Sequence, residues 1–285
     1  MPIVDSHAHI MTPWVATRRD ELSHADPCFG ALYSNPGAKL ATAEELIRSM
    51  DDAEVSASIV LNIGWRDHEL CVRTNDYLLE SGSRWPERII PYCMIQPAAG
   101  DLAVRELERC AAAGARGIGE LRPDMQGYTL HDSRLLAPVV DAATALEMAI
   151  LVHVSEPVGH QYPGKGTIMP EQPYAFAKSF PGITLVCAHW GGGLPFYALM
   201  PEVRDALTNV YYDTAATQYL YSPRVFESVI QIVGARHVLF GSDYPLIGHR
   251  RALDHARSAG LGPEDEAALL GGNAARLLHG EAPRG

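Results

Sequence analysis

The sequence predicts an α/β fold, a (β/α)8 TIM barrel with a long loop insertion after strand 1, as a single domain over residues 1–285. Three observations carry that prediction. Eight short apolar runs alternate with helical stretches without a composition break, which implies a parallel sheet with right-handed crossovers. The turn after the first run carries histidines, where an open doubly-wound sheet would want a glycine-rich turn. Single polar residues of metal-ligand type also end several runs, and barrels build their sites at those strand ends.

The first strand covers Pro2 to Asp5, with His7 and His9 just beyond it. Side chains alternate along a strand, so positions 3, 5, 7 and 9 are expected on one face, and two imidazoles at i and i+2 can converge on one ion. Residues 10–41, rich in Pro, Gly and Asn with isolated aromatics, read as a long lid or binding loop. Thr42-Ala43-Glu44-Glu45 reads as a capping box opening a helix to Ala53. Further strands are expected at 57–61, 89–95, 116–121 and 149–153, with helices after Asp67, Asp101 and Asp132. The loop 155–168 carries Glu156, His160, Tyr162 and Lys165. A sixth strand at 183–187 ends in His189-Trp190 and three glycines, followed by a helix over 194–207. Val210-Tyr211-Tyr212 forms the seventh strand. The eighth, 238–242, stops abruptly at Asp243-Tyr244-Pro245.

Parity tests whether these polar ends share a site. Counting back by twos from His153 gives Leu151 and Ala149; from His189, Cys187 and Leu185; from Asp243, Gly241 and Leu239. All are small or apolar, as barrel-interior positions should be. On this count His7, His9, Glu120, His153, His189 and Asp243 all point into one mouth.

Composition narrows the partners. The apolar fraction is 47% and the charged fraction 20%, ordinary for a globular protein. A net charge of −11 opposes nucleic-acid and anionic-membrane partners, whose phosphates require clustered Lys and Arg. Five widely spaced cysteines without a Cys-x-x-Cys pair suit reduced thiols in a cytoplasmic protein. No apolar run reaches the roughly 18 residues of a membrane span, and the opening residues leave no room for a signal peptide. A cytoplasmic location and a small-molecule substrate are therefore expected.

The residues resemble the amidohydrolase superfamily of metal-dependent barrels, and within it the branch that includes aminocarboxymuconate-semialdehyde decarboxylase. The resemblance covers nearly the whole chain. It lies in Asp5-Ser6-His7-Ala8-His9, His153, Ala188-His189-Trp190-Gly191-Gly192, Phe240-Gly241-Ser242-Asp243-Tyr244-Pro245 and Gly272-Asn273-Ala274-Ala275-Arg276-Leu277. It implies His7, His9, His153 and Asp243 as metal ligands, with His189 a ligand or a proton-transferring group. Imidazole with carboxylate suits Zn2+, with Mn2+ or Fe2+ as substitutes. Homodimers are common on this branch.

Glu120 departs from the mononuclear pattern. It could bridge two ions, orient a ligand imidazole, or pair with Arg122. Arg122, facing the same mouth, could bind a substrate carboxylate bidentately. Lys165, His160, Tyr162 and Trp190 are further candidate substrate contacts, each with an ordinary loop or packing role as the alternative. The expected activity is metal-dependent hydrolysis of an amide, lactone, ester or cyclic C–N bond, with Asp243 and His189 catalytic. Non-oxidative decarboxylation of a small carboxylated substrate on the same site is the alternative.

Overall fold

The computed structural model describes residues 2–283. Eight strands follow one another in sequence order: β1 (Val4–His9), β2 (Ala57–Leu61), β3 (Ile89–Cys93), β4 (Gly117–Leu121), β5 (Ala149–Val152), β6 (Leu185–Cys187), β7 (Val210–Asp213) and β8 (Val238–Leu239). Every neighbouring pair is parallel. The seam between β8 and β1 closes through backbone bonds from Ser6 N to the Phe240 carbonyl at 2.7 Å and from Asp243 N to the His7 carbonyl at 2.9 Å. The expected (β/α)8 barrel is present.

Two apolar layers hold it. Val4, Ile59, Leu61, Tyr92, Leu151, Tyr211 and Leu239 fill the barrel interior. Outward-facing Ile118, Ile150, Leu185 and Val210 pack with the helix residues Leu107, Val139 and Phe176. Burying each such side chain contributes about 1.5–3 kcal/mol. The strands therefore read as continuous apolar runs, because both faces are covered.

Two local irregularities re-aim the polar strand ends. In β1 the register with β2 shifts between Asp5 and Ala8. Val4 faces the interior whereas Ala8 packs against the outer layer. An extra residue in a strand inverts the alternation beyond it. His7 and His9 thus point inward while Asp5 points outward, against the expectation that the three share a face. In β4 a similar shift between Ile118 and Leu121 surrounds Glu120.

The parity argument holds on β5 and β8 and fails on β6. There Val186 and Ala188 line the interior, and Leu185 and Cys187 face the helices. His189 reaches the mouth because the chain turns left-handed there, with φ of 56° at His189 and 57° at Trp190. Three glycines continue the turn. The expected helix over 194–207 is a run of 3-10 turns through Leu199 followed by a short helix, Pro201–Ala206.

The insertion after β1 is helical rather than a plain loop. Helices span Pro13–Thr17, Arg19–Ala25 and Pro27–Tyr33. Thr12 and Asp26 cap the first and third, each followed by a proline at the first helical position. The capping box at Thr42 forms as read, Glu45 Oε2 accepting from Thr42 N at 2.8 Å.

Candidate metal centre

The ends of β1, β4, β5 and β8 and the turn after β6 bring all six expected mouth residues into one cluster, His153 touching Glu120 and His189. His7 Nε2 and His9 Nε2 lie 3.1 Å apart. Asp243 Oδ1 is 3.8 Å from the first and 3.6 Å from the second. Glu120 Oε2 is 3.9 and 3.8 Å from the same nitrogens, and its Oε1 is 3.4 Å from His189 Nε2. Two trios of donors fall within 4.8 Å: His7, His9 and Asp243, and His7, Glu120 and His189.

Hydrogen bonds fix which atoms face the cluster. His7 Nδ1 donates to Asp213 Oδ2 at 2.8 Å, leaving Nε2 for the centre. His189 Nδ1 donates to the Ala215 carbonyl at 3.2 Å, so its Nε2 is likewise turned inward. A carbonyl can only accept, which settles the tautomer of a neutral ring. Asp213 Oδ1 also accepts from the backbone N of His189 at 2.9 Å, so one carboxylate braces the His7 imidazole and the His189 backbone. Asp213 went unnoticed in the sequence. It ends an apolar strand as Asp243 does, but the strand was drawn one residue short.

His153 is placed differently. Its Nδ1 donates to Glu120 Oε1 at 2.8 Å and its Nε2 lies 3.1 Å from Ser155 Oγ. With both ring nitrogens engaged, it stands outside both trios. Burial and the Arg122 charge push it down to about 4. Burial opposes charge on His7 and His189, but the carboxylates outweigh it. Asp213 above all lifts His7 to about 10, and Glu120 lifts His189 to about 9. Burial would raise Glu120, yet His153, His189 and His7 hold it well below the usual carboxylate range.

The donor set fits a divalent cation. An ion with donors at about 2.0–2.2 Å sets its ligand atoms about 3–3.5 Å apart, close to the spacings here. His7 Nε2 and His9 Nε2 converge at 3.1 Å, where an ion could take both nitrogens in place of a proton, and a carboxylate behind a ligand imidazole is the usual support. The arrangement can hold an ion and present a proton at His189 Nε2 beside it.

Arg122 lies at the end of β4 beside this cluster, with 1% of its surface exposed. Its Nε and Nη2 have no hydrogen-bond partner, and Asp124 Oδ1 stands 3.6 Å from Nε. Gly64 and Gly166 admit it: a Cβ on the first would come 2.4 Å from Arg122 Cβ, and on the second 2.7 Å from Nη2.

The other expected substrate contacts are used elsewhere. Trp190 is fully buried, donating from Nε1 to Thr217 Oγ1 at 2.9 Å and meeting Phe226 edge-on at 5.1 Å. It packs behind the barrel and walls no ligand. Lys165 Nζ donates to the carbonyls of Val158 and His160 at 3.1 and 3.2 Å, tying its own loop. His160 is exposed, its ring 5.5 Å from that of Tyr162. Tyr162 donates to Glu156 Oε2 at 2.9 Å, and the other Glu156 oxygen is buried without a partner.

Known proteins share this fold. A gamma-resorcylate decarboxylase of Polaromonas sp. strain JS666 is 22% identical over 254 residues, spanning 75% of this chain and 77% of that protein. The 5-carboxyvanillate decarboxylase of Sphingomonas paucimobilis has a solved structure that superimposes with a TM-score of 0.81 at 18% identity, over 98% of this chain and 99% of that one. A dihydroxybenzoic acid decarboxylase of Polaromonas sp. JS666, solved with manganese and 2-nitroresorcinol, superimposes at 0.73 with 18% identity, over 98% and 97%. These relatives correct the expectation of hydrolysis, since they are decarboxylases and back the alternative instead. Zinc has no support among them, and manganese is the ion of the last-named barrel. No helix among the described residues is long and apolar enough to cross a membrane. The sequence model of the amidohydrolase family matches residues 4–280, and the chain belongs to that family.

Proposed function

We propose that this chain is a divalent-metal-dependent decarboxylase of a small aromatic carboxylate, with manganese as its ion. The observation that carries the reading is Arg122. A buried guanidinium whose carboxylate partner Asp124 stands 3.6 Å from Nε, and whose Nη2 is unpartnered, is incompletely compensated, and an added anion would complete it. A substrate carboxylate matches that fork in shape and charge. The substrates named for the relatives, gamma-resorcylate and 5-carboxyvanillate among them, are of this class.

His7, His9 and Asp243 would hold the ion, with Glu120 closing the site from below. His7 belongs to both donor trios, yet Asp213 takes its Nδ1, so it has one nitrogen to give. One ion per chain follows. Bound there, the ion supplies positive charge that anchors the anionic substrate and offsets charge developing during reaction. Arg122 holds the substrate carboxylate and fixes the ring's orientation. His189 Nε2 faces Glu120 Oε1 at 3.4 Å, a carboxylate that favours its charged form, and would be the proton donor. Delivered to the carboxylated ring carbon, that proton forms the new C–H bond. The electrons of the breaking C–C bond then restore the ring, and carbon dioxide leaves. Asp243 has 15% of its side chain exposed, against 7% for Glu120, and so stands nearest the entrance.

The test compares 2,6-dihydroxybenzoate and 5-carboxyvanillate with their methyl esters and amides on manganese-loaded protein. Carbon dioxide from the acids supports the reading. Cleavage of the esters or amides with the acids left untouched would overturn it.

A further inference from the structure

Behind the barrel wall, beneath the two strand ends that carry His7 and Asp243, lies a second buried polar cluster that meets the mouth residues through the backbone of His7. Asp5 and His249 are both fully buried. His249 opens the helix His249–Arg257, which follows β8. Its Nε2 lies 3.1 Å from Asp5 Oδ2, and its Nδ1 is 2.8 Å from Ser49 Oγ on the helix Ala43–Asp52. Asp5 Oδ1 accepts from His7 N at 3.0 Å and from Ser242 N at 2.9 Å. Asp5 Oδ2 accepts from Ser242 Oγ at 2.5 Å. Ser242 Oγ in turn accepts from Tyr244 N at 3.0 Å, and the Tyr244 ring stacks on His249 with centroids 5.0 Å apart.

Both neighbours of Asp243 are therefore clamped by one carboxylate and one imidazole, and that carboxylate also holds the backbone of His7. The clamp has work to do. Asp243 sits at φ 64°, a left-handed conformation that a non-glycine residue keeps only when its surroundings impose it. β8 itself contributes two paired residues, and the loop beyond it is held to β1 by backbone bonds from Asp243 N to the His7 carbonyl at 2.9 Å and from His9 N to the Tyr244 carbonyl at 2.7 Å, to which the clamp adds. A barrel packed by apolar side chains alone would not require three buried polar side chains here, each at a desolvation cost.

The geometry points to Asp5, Ser242 and His249 as positioning residues that set His7 and Asp243, which come from opposite ends of the chain, at the separation a metal ion requires. This rests on the proposed metal site and not on the reaction performed there.

His249→Phe keeps a ring to stack on Tyr244 and removes the nitrogen facing Asp5. His249→Gln restores a donor at that position. Manganese binding is measured by calorimetry on chelator-stripped protein, alongside thermal unfolding without metal. The expected result for His249→Phe is a Kd weakened by about 10–100-fold, with a single cooperative unfolding transition retained. His249→Gln should recover most of that loss. Ser242→Ala, a smaller change that removes one bond to Asp5 and one to Tyr244, should weaken the Kd in the same direction. If His249→Phe fails to fold, Ser242→Ala and His249→Gln decide the matter. Wild-type Kd in the folded His249→Phe, or in Ser242→Ala, would overturn the positioning role. A wild-type chain that binds no manganese would remove the metal site itself, a result separable from either variant's.

Discussion

Replacing Arg122 with methionine should cost more in activity than in stability. The guanidinium is 1% exposed, its Nη2 is unpartnered and its carboxylate partner Asp124 stands 3.6 Å from Nε, so the folded protein holds an incompletely compensated charge. Removing one member of a well-made buried ion pair costs about 3–5 kcal/mol. Here the pair is loose, and Asp124 Oδ2 keeps its bond from Thr167 N at 2.9 Å, so the loss is smaller. A net loss of no more than about 2 kcal/mol is expected. The substrate loses two charge-assisted bonds at about 1.5–3 kcal/mol each. Taking the lower end, about 3 kcal/mol of transition-state binding goes, roughly a hundredfold in kcat/KM. Arg122→Lys keeps the charge without the fork and should fall between the two. The assays are thermal unfolding of the metal-loaded protein and steady-state decarboxylation. An Arg122→Met protein that loses more than about 2 kcal/mol of stability while keeping kcat/KM would make Arg122 a structural residue and refute the argument.

Three other outcomes are expected. Asp213→Asn leaves His7 without its carboxylate brace and should weaken manganese binding about 10–100-fold, read by calorimetry. Metal analysis of reloaded protein should return close to one manganese per chain, since His7 Nε2 can serve a single ion; two per chain would restore a bridging role for Glu120. Away from the site, Glu106 is buried and accepts from Asn75 Nδ2 at 2.8 Å and from Arg109 Nε at 2.7 Å. Burial would raise Glu106, but these bonds hold it below its ordinary value. Its contribution is then present above the unfolded carboxylate range and lost as pH falls through the lowered value. Glu106→Ala should cost about 1–3 kcal/mol at pH 7 and less in acid, by denaturant unfolding. An equal loss at both pH values would contradict the linkage.

The barrel was legible because its signals repeat: apolar runs covered on both faces, caps ahead of helices, and polar residues where strands stop. That last signal singles out His7, His9, Glu120, His153, His189 and Asp243, which the fold brings together. Register irregularities were not legible. A bulge in β1 turns Asp5 away from His7, and nothing in Asp5-Ser6-His7 announces it. His189 was placed in the mouth by a parity that β6 does not follow; its left-handed turn delivers it there instead. The helices within residues 10–41 were announced by Thr12-Pro13 and Asp26-Pro27, and composition obscured them. His249 carries no signal in the sequence because its partner, Asp5, is 244 positions earlier in the chain. The incomplete pairing of Arg122 was not legible either, being a property of burial that a string of residues does not display.

The central claim is that this site exchanges a carboxylate for a proton. Its most direct test is decarboxylation of carboxyl-13C-labelled 2,6-dihydroxybenzoate in D2O by manganese-loaded protein, followed by mass spectrometry of gas and product. The account predicts labelled carbon dioxide with one deuterium at the vacated ring carbon, and neither from Asp243→Asn. Labelled carbon dioxide unchanged in amount from metal-stripped protein, or product formed equally by folded Asp243→Asn, would contradict it.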